Sequence, residues 1–517
     1  MSFFARPDWA REARHDFSGT VSFAETEMLF PLPRAHHPGE DRFPRFTMDF
    51  VTHDGVLIPR RRDLIDTRES AGSGWDVFVG AGRVWSEPGD EGWSRASFPL
   101  SLSDRYVGSV RNCVATFVYA ADAMSNVYVQ CSQETADIED QQLGDMRVMV
   151  PASYRPARFL DAQQMVDDYA AMQARRILVA PLSEIDTDGE IADYFNWMHW
   201  SNASTSVGAI YLDGTLYVHP PMTRHGAYPY PDEMRHGVYS VTKSMAGALA
   251  LFYFAERYGA DLFDEPIADH VPALANRPGW RGVTFGHALN MATGTRGGEA
   301  LDMLFNPLMA AASAEDAINN IARFGDAPPA PGQAFNYATT NFFVLSYALQ
   351  NYVEAREGEG VRYWDVLRDN VLAPIGAEDF DALHTRDADA SERIPALGYG
   401  ARPTLDSAAK IARLIFDEGE YEGRQLLNRQ RIREALGRTD WRGYATGDPS
   451  SRYRHAFWAR DFRQGVCAAS VSFMQGHGGN HVLMAPSGAI IFRFMDEFDT
   501  DLETLVRRVE RVRSSCH

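Results

Sequence analysis

The stretch from Ser240 to Tyr258, SVTKSMAGALALFYFAERY, is apolar on nearly every side through its middle and is followed by Gly259. A surface helix carries one apolar stripe, so a helix that is apolar all round has to lie inside a domain core. Gly259 supplies the stop, because glycine takes the left-handed backbone that ends a helix without a Cβ penalty. The rest of the chain must enclose this helix, which takes a large domain. With 517 residues, 45% of them hydrophobic, the chain has the bulk for two or three domains that need no staples.

The enclosing elements can be read on either side of the helix. SVGAIYLDGTLYVH (206–219) predicts two strands joined by an Asp213-Gly214 turn, the strongest short hairpin signal. After residue 400 come an amphipathic helix (407–419), strand-like segments at 466–474 and 481–494, and a final helix (500–513). The 481–494 segment turns at Pro486-Ser487-Gly488. Residues of about 260–400 mix helical stretches with Pro- and Gly-rich loops. A sheet carrying helices, with a helical insert between its two sequence halves, is the economical arrangement.

Residues 1–180 read differently. WDVFVGAGRVW (75–85), VATFVYA (114–120), VYVQC (127–131) and MRVMVP (146–151) favour strands, punctuated by clusters such as EPGDEG (87–92). They predict a β-rich accessory domain, sandwich or barrel-like, joined by a helical stretch at 161–176 to a second domain over 190–517. No catalytic constellation is visible in 1–180.

A formal net charge of −20 disfavours nucleic-acid or anionic-membrane partners, which call for basic surfaces. No apolar run is long enough to span a membrane. The N-terminus, MSFFARPDWAREARHDF, lacks a signal-peptide pattern. Four scattered cysteines (Cys113, Cys131, Cys467, Cys516) without a CxxC read as reduced thiols of a cytoplasmic protein. Whether Cys113 and Cys131 fall on neighbouring strands is left open, and a homo-oligomer is compatible with the sequence. His36-His37 and the histidines of 219–236 lack a further ligand at metal spacing, so neither a metal nor an organic cofactor is expected.

Chemistry concentrates in Ser240-Val241-Thr242-Lys243. Residues three apart share a helix face, with Cβ atoms roughly 5–6 Å apart, so a lysine amine can reach the serine hydroxyl. Serine is a weak nucleophile until a base takes its proton. Burial can depress a lysine pKa far enough to make the neutral amine that base, which arginine cannot match. Of fifty basic residues only Lys243 and Lys410 are lysines, so a lysine here is informative. The spacing alone proves little, because Ser407-Ala408-Ala409-Lys410 repeats it in an ordinary amphipathic helix. That copy reads as a capping serine and a solvated lysine.

From about 195 to 500 the chain resembles the serine β-lactamase and penicillin-binding-protein superfamily, nearest its class C and esterase-like branch. VYSVTKSMAGALA resembles the nucleophile helix, and VTFGHALNMATGT (283–295) the segment after it. PPAPGQAFNYATTNFFVLSYAL (328–349) resembles the second catalytic motif, and WDVLRDNVLAPIGAED (364–379) continues the order. MQGHGGNHVLMAPSGAIIFRF (474–494) resembles the third motif and its strand pair. The resemblance implies an α/β (α+β) fold, with a central antiparallel sheet flanked by helices and a helical subdomain at about 260–400.

It also implies roles. Ser240 is the nucleophile, Lys243 and Tyr337 move its proton, and a phenol beside an ammonium can be pushed towards phenolate. How base duty divides between the two is left open. Where the family's Tyr-x-Asn motif carries asparagine this chain has Thr339, with Asn341 two residues on, which puts recognition of a substrate amide in doubt. His477-Gly478-Gly479 stands where many β-lactamases have Lys-Thr-Gly. Its glycines would let a substrate lie against the strand edge. Losing that lysine tilts the expectation from penicillins towards an uncharged ester or amide. The backbone N–H groups of Ser240 and Asn480 would form the oxyanion hole. Tyr228, Tyr230, Tyr239 and Trp197 are candidates for lining the acyl pocket, although aromatics near a core helix are more often simply core.

The function expected is hydrolysis of a small-molecule ester or amide, the ester favoured, through an acyl-enzyme on Ser240. The alternatives are an amide-cleaving enzyme (D-aminopeptidase, β-lactamase or small-amide hydrolase) and a non-catalytic binding protein on the same fold.

Overall fold

In the computed structural model, residues 1, 4–29, 38–133, 135, 146–197, 205–223, 225–326, 329–464, 467–495 and 501–515 are described. Every residue from Val241 to Ala255 is buried. The stretch is not one regular helix, however. A short 3-10 turn over Tyr239–Val241 passes into a wide π-helical segment, Lys243–Ala248, and only then into an α-helix, Leu249–Tyr258. Gly259, with φ 116°, ends it. The widened part lies at Gly247, where a Cβ would meet the Phe342 ring at 2.7 Å, so glycine admits that ring against the backbone. Single wide turns of this kind are frequent at functional sites.

The helix packs on a nine-stranded sheet. Its order is Leu178–Pro181, Thr215–His219, Thr205–Leu212, Ile490–Met495, Asn480–Met484, Cys467–Gly476, Phe457–Gln464, Ser451–Arg454 and Tyr444–Ala445. All neighbours are antiparallel except the parallel edge pair of Leu178–Pro181 with Thr215–His219. The predicted Asp213-Gly214 turn joins two of these strands, with φ of 48° and 92° that suit a tight hairpin. Side chains alternate across the sheet. Ile490, Phe492 and Phe494 pack with the Ser240 helix and the helix Leu405–Phe416, while Ile491 packs with Leu502, Leu505 and Val509 of the last helix. Helices thus cover both faces, which explains strands that are apolar nearly throughout. Shorter helices and turns between Ala260 and residue 400 surround Thr340–Glu357, itself largely buried.

The helix Leu405–Phe416 departs from the sequence reading. Thr404 is its N-cap, accepting from Ser407 N, and Ser407 returns a bond to the Thr404 backbone as the third residue of a capping box. Lys410 is not solvated. It is 9% exposed, 2.6 Å from Asp406 and 2.8 Å from the Gly376 carbonyl.

The N-terminal strands form a separate ten-stranded antiparallel sheet between Ser18 and Pro156. Its two edges, Met146–Val150 and Ala152–Pro156, are separated in sequence only by Pro151. Nine strands laid flat would put those edges about 38 Å apart at ~4.8 Å per strand, far beyond one residue's reach. The sheet therefore curls until its edges meet, around a core that includes Phe17, Phe23, Phe50, Phe98 and Trp75. Cys113 and Cys131 face each other on neighbouring strands and are joined as a disulfide. The reading of all four cysteines as reduced thiols is thereby corrected for this pair, because the register brings the two sulfurs together. The compartment inferred from reduced thiols loses that support. His36, His37 and Cys516 and the side chain of Cys467 lie outside the described residues. Among the described residues, no helix is long and apolar enough to cross a membrane.

The curled sheet grips the segment leading to Ser240. Asn112 and the Arg235 backbone exchange two hydrogen bonds, of 2.8 and 3.0 Å, and the Gly237 N–H donates to Thr135 Oγ1 at 3.0 Å. Tyr228 and Tyr230 donate to the carbonyls of Cys113 and Ser97. Of the two readings of these tyrosines, packing is the one that fits, since both are engaged with the N-terminal sheet.

Candidate active site

Tyr239, just before Ser240, has a φ of 44°, a left-handed value unusual for a bulky side chain and costing on the order of 1–3 kcal/mol. The conformation is held from several sides. The Thr242 hydroxyl bonds to the Tyr239 carbonyl and accepts the Ala401 N–H, and the His477 ring stands edge-on to Tyr239 at 5.2 Å. The result presents Ser240 half-buried at a bend, where a substrate can reach it.

Lys243 is 1% exposed. Its Nζ lies 2.8 Å from each of three oxygens: Ser240 Oγ, Thr339 Oγ1 and the Gly398 carbonyl. The Tyr337 ring lies 4.9 Å away and that of Phe342 5.7 Å. Burial lowers the Lys243 pKa to about 8, while the Glu299 charge works in the opposite direction. About a tenth of the molecules thus carry a neutral amine at pH 7, many more than an exposed lysine would allow.

Tyr337 is half-buried and stacks on Trp458 at 5.8 Å, beside Phe335 and Tyr453. Burial and the Glu299 charge push its pKa up, against a hydrogen bond with Ser240 that pulls it down. Its surroundings thus favour the phenol, the opposite direction from the push towards phenolate that a nearby ammonium can give.

Thr339 is buried, with its hydroxyl donating to Glu299 Oε2 at 2.8 Å and its N–H donating to Glu299 Oε1 at 2.7 Å. The structure brings Ser240, Lys243, Tyr337 and Thr339 together. Asn341 is buried on the helix Thr340–Glu357, and its amide meets Met291 Sδ at 3.8 Å instead of the lysine.

His477-Gly478-Gly479 forms the tight turn between the strands Cys467–Gly476 and Asn480–Met484. Gly478 and Gly479 have φ of 75° and 78°, which only glycine adopts freely twice in succession. The strand reaches the nucleophile at Gly476, where a Cβ would stand 2.1 Å from the Val238 carbonyl oxygen and 3.2 Å from Val241 N. Asn480 begins the return strand, its amide donating to the His477 carbonyl and accepting from Met495 N. Those bonds hold the turn and fix the backbone beside the bend at Ser240.

The sequence patterns did not single out Glu299, Gly398 or Gly476. Glu299 and Gly398 come from loops, TRGGEA and ALGYG, whose spacing carries no signal. Gly476 adjoins the third motif, and a glycine where a strand must approach another backbone closely was the available hint. The side chain of Trp197 lies outside the described residues. Among the described residues, no group of three or more His, Cys, Asp or Glu side chains is placed to hold a metal ion.

The beta-lactamase family model matches residues 207–495. Among solved structures, the D-amino acid amidase from Ochrobactrum anthropi SV3 is 17% identical, with a TM-score of 0.45 over 64% of this chain and 97% of that one. The D-stereospecific amidohydrolase from a Streptomyces species is 13% identical, with a TM-score of 0.45 over 62% and 97%. A penicillin binding protein from Bacillus halodurans is 16% identical, with a TM-score of 0.44 over 62% and 98%. No curated protein matches.

Proposed function

The chain belongs to the beta-lactamase family, and from that premise we propose a serine hydrolase that cleaves a small-molecule ester through an acyl-enzyme on Ser240. The observation that carries this reading is the 2.8 Å contact between Ser240 Oγ and a fully buried Lys243 amine whose pKa falls to about 8. In its neutral form Lys243 takes the Ser240 proton as the oxygen attacks the substrate carbonyl. Tyr337, held as a phenol, is suited to give a proton to the leaving group. The N–H groups of Ser240 and Asn480 stabilise the oxyanion, a contribution worth ~10²–10³ in rate per donor. Water then attacks the acyl-enzyme, with Lys243 and Tyr337 exchanging protons in the reverse order.

His477 in place of a permanently charged lysine supports an uncharged substrate over one bearing a carboxylate. Thr339 supports the ester over the amide. Its single hydroxyl already bridges Lys243 and Glu299, so it has no carboxamide to offer a substrate amide. A matched panel of esters and amides separates the two.

The test of the nucleophile is fluorophosphonate labelling read by intact mass and peptide mapping. A single adduct on Ser240, lost in Lys243→Ala, is expected. An adduct elsewhere, or an equal adduct in the variant, refutes the assignment. A binding protein without turnover would show no hydrolysis sensitive to Ser240→Ala.

A further inference from the structure

A buried amine serves as a base only if its lone pair points at the proton it removes. A neutral Lys243 has two N–H groups and one lone pair for three oxygens, all at 2.8 Å. The Gly398 carbonyl can only accept, which fixes one N–H. Thr339 is ambiguous by itself, since its hydroxyl can accept from the amine or donate to it. In the second arrangement the threonine proton occupies the lone pair, and Ser240 is left without a base.

Glu299 removes the ambiguity. One carboxylate oxygen accepts the Thr339 N–H and the other accepts the Thr339 hydroxyl proton. With that proton committed, Thr339 Oγ1 can only accept from Lys243, and the lone pair is left facing Ser240. We infer that Glu299 is a positioning residue that, through Thr339, aims the Lys243 lone pair at the Ser240 hydroxyl. This rests on the reading of Ser240 and Lys243 as nucleophile and base. The carboxylate form is required, because a carboxamide has one acceptor for two donors. In Glu299→Gln, either the Thr339 N–H or its hydroxyl loses its acceptor. Glu299 is exposed at the rim of the site, so its replacement disturbs no core packing.

The experiment is the rate of fluorophosphonate labelling of Ser240 against pH, on full-length wild type, Glu299→Gln, Glu299→Asp, Thr339→Val and the Gln/Val double variant, with Tm measured for each. Glu299→Gln is expected to slow labelling about ten- to a hundredfold at its plateau, the scale of a misaligned catalytic group. Its pH midpoint is expected to fall, because the carboxylate that helps hold the Lys243 charge is gone. Glu299→Asp, with both acceptors kept, recovers most of the rate. In the Thr339→Val background Glu299→Gln adds little, as it should if the effect passes through the hydroxyl. A Gln variant with wild-type rate and midpoint overturns the inference. So does one that is slower only in step with a lowered Tm, which would mean the carboxylate merely tethers its loop. If wild type itself is not labelled on Ser240, the nucleophile assignment falls and this inference falls with it. Labelled wild type with an indifferent Gln variant removes the positioning role alone.

Discussion

Ser240–Lys243 and Ser407–Lys410 have the same residue types at the same spacing, and both lysines are buried. In the first pair the amine meets the hydroxyl at 2.8 Å. In the second the serine hydroxyl is taken up by the Thr404 backbone and side chain, and the amine turns to Asp406 and Gly376. Two local differences separate them. Ser240 stands at a bend ahead of a widened helix, whereas Ser407 lies in the first turn of a regular one, where backbone N–H groups need its oxygen. Lys410 has a carboxylate in direct contact, whereas Glu299 reaches Lys243 only across Thr339. Spacing therefore brings a lysine near a serine, and the competition for each group's hydrogen bonds decides whether they react.

The comparison can be broken in order of effect. Ser240→Ala should abolish labelling and any hydrolysis, while Ser407→Ala leaves both intact, as checked by intact mass and ester turnover. Lys243→Ala should cost about 10²–10⁴ in acylation rate, the usual worth of general base catalysis. Lys243→Arg should fare no better, since a guanidinium stays protonated. Lys410→Arg, which keeps the charge beside Asp406, should label at the wild-type rate.

The labelling rate of wild type should rise with pH and level off above about 8, because the amine has to be neutral to accept the proton. Below that midpoint it should drop about tenfold per pH unit, since the neutral fraction does. A midpoint near the ordinary lysine value would mean that burial does not tune this amine. Lys410→Ala should leave labelling untouched but lower stability by about 1–3 kcal/mol in urea unfolding, as it leaves the Gly376 carbonyl without its donor and Asp406 with only the Ile177 N–H. Thr404→Ala should cost only about 1 kcal/mol, the loss of a helix cap.

Short-range patterns made much of the fold legible. The all-round apolar stretch after Ser240 placed a helix in a core, and Asp213-Gly214 marked a hairpin at the correct residues. Long-range convergence was not legible. The Gly398 carbonyl comes 155 residues after Lys243, and no periodicity records that the two meet. The Cys113–Cys131 disulfide depends on strand register, which local sequence does not specify. The widened turn at Lys243–Ala248 was hidden as well, because the local apolar pattern does not separate it from a regular helix. For Tyr337 the motif gave the residue but not its protonation, which its buried surroundings and the Glu299 charge push towards the phenol.

The bonds from Asn112 and Thr135 to Arg235 and Gly237 bear on how this molecule can be taken apart. The segment matched by the family model begins at residue 207, so it contains Ser240 and its approach but neither of those partners. Excised as a cassette, it would lose these hydrogen bonds within five residues of Ser240, each with a net worth of about 0.5–1.5 kcal/mol, and with them the hold on the approach to the nucleophile. The smallest transplantable unit is therefore larger than the stretch the family shares, and a graft needs the curled sheet to travel with it.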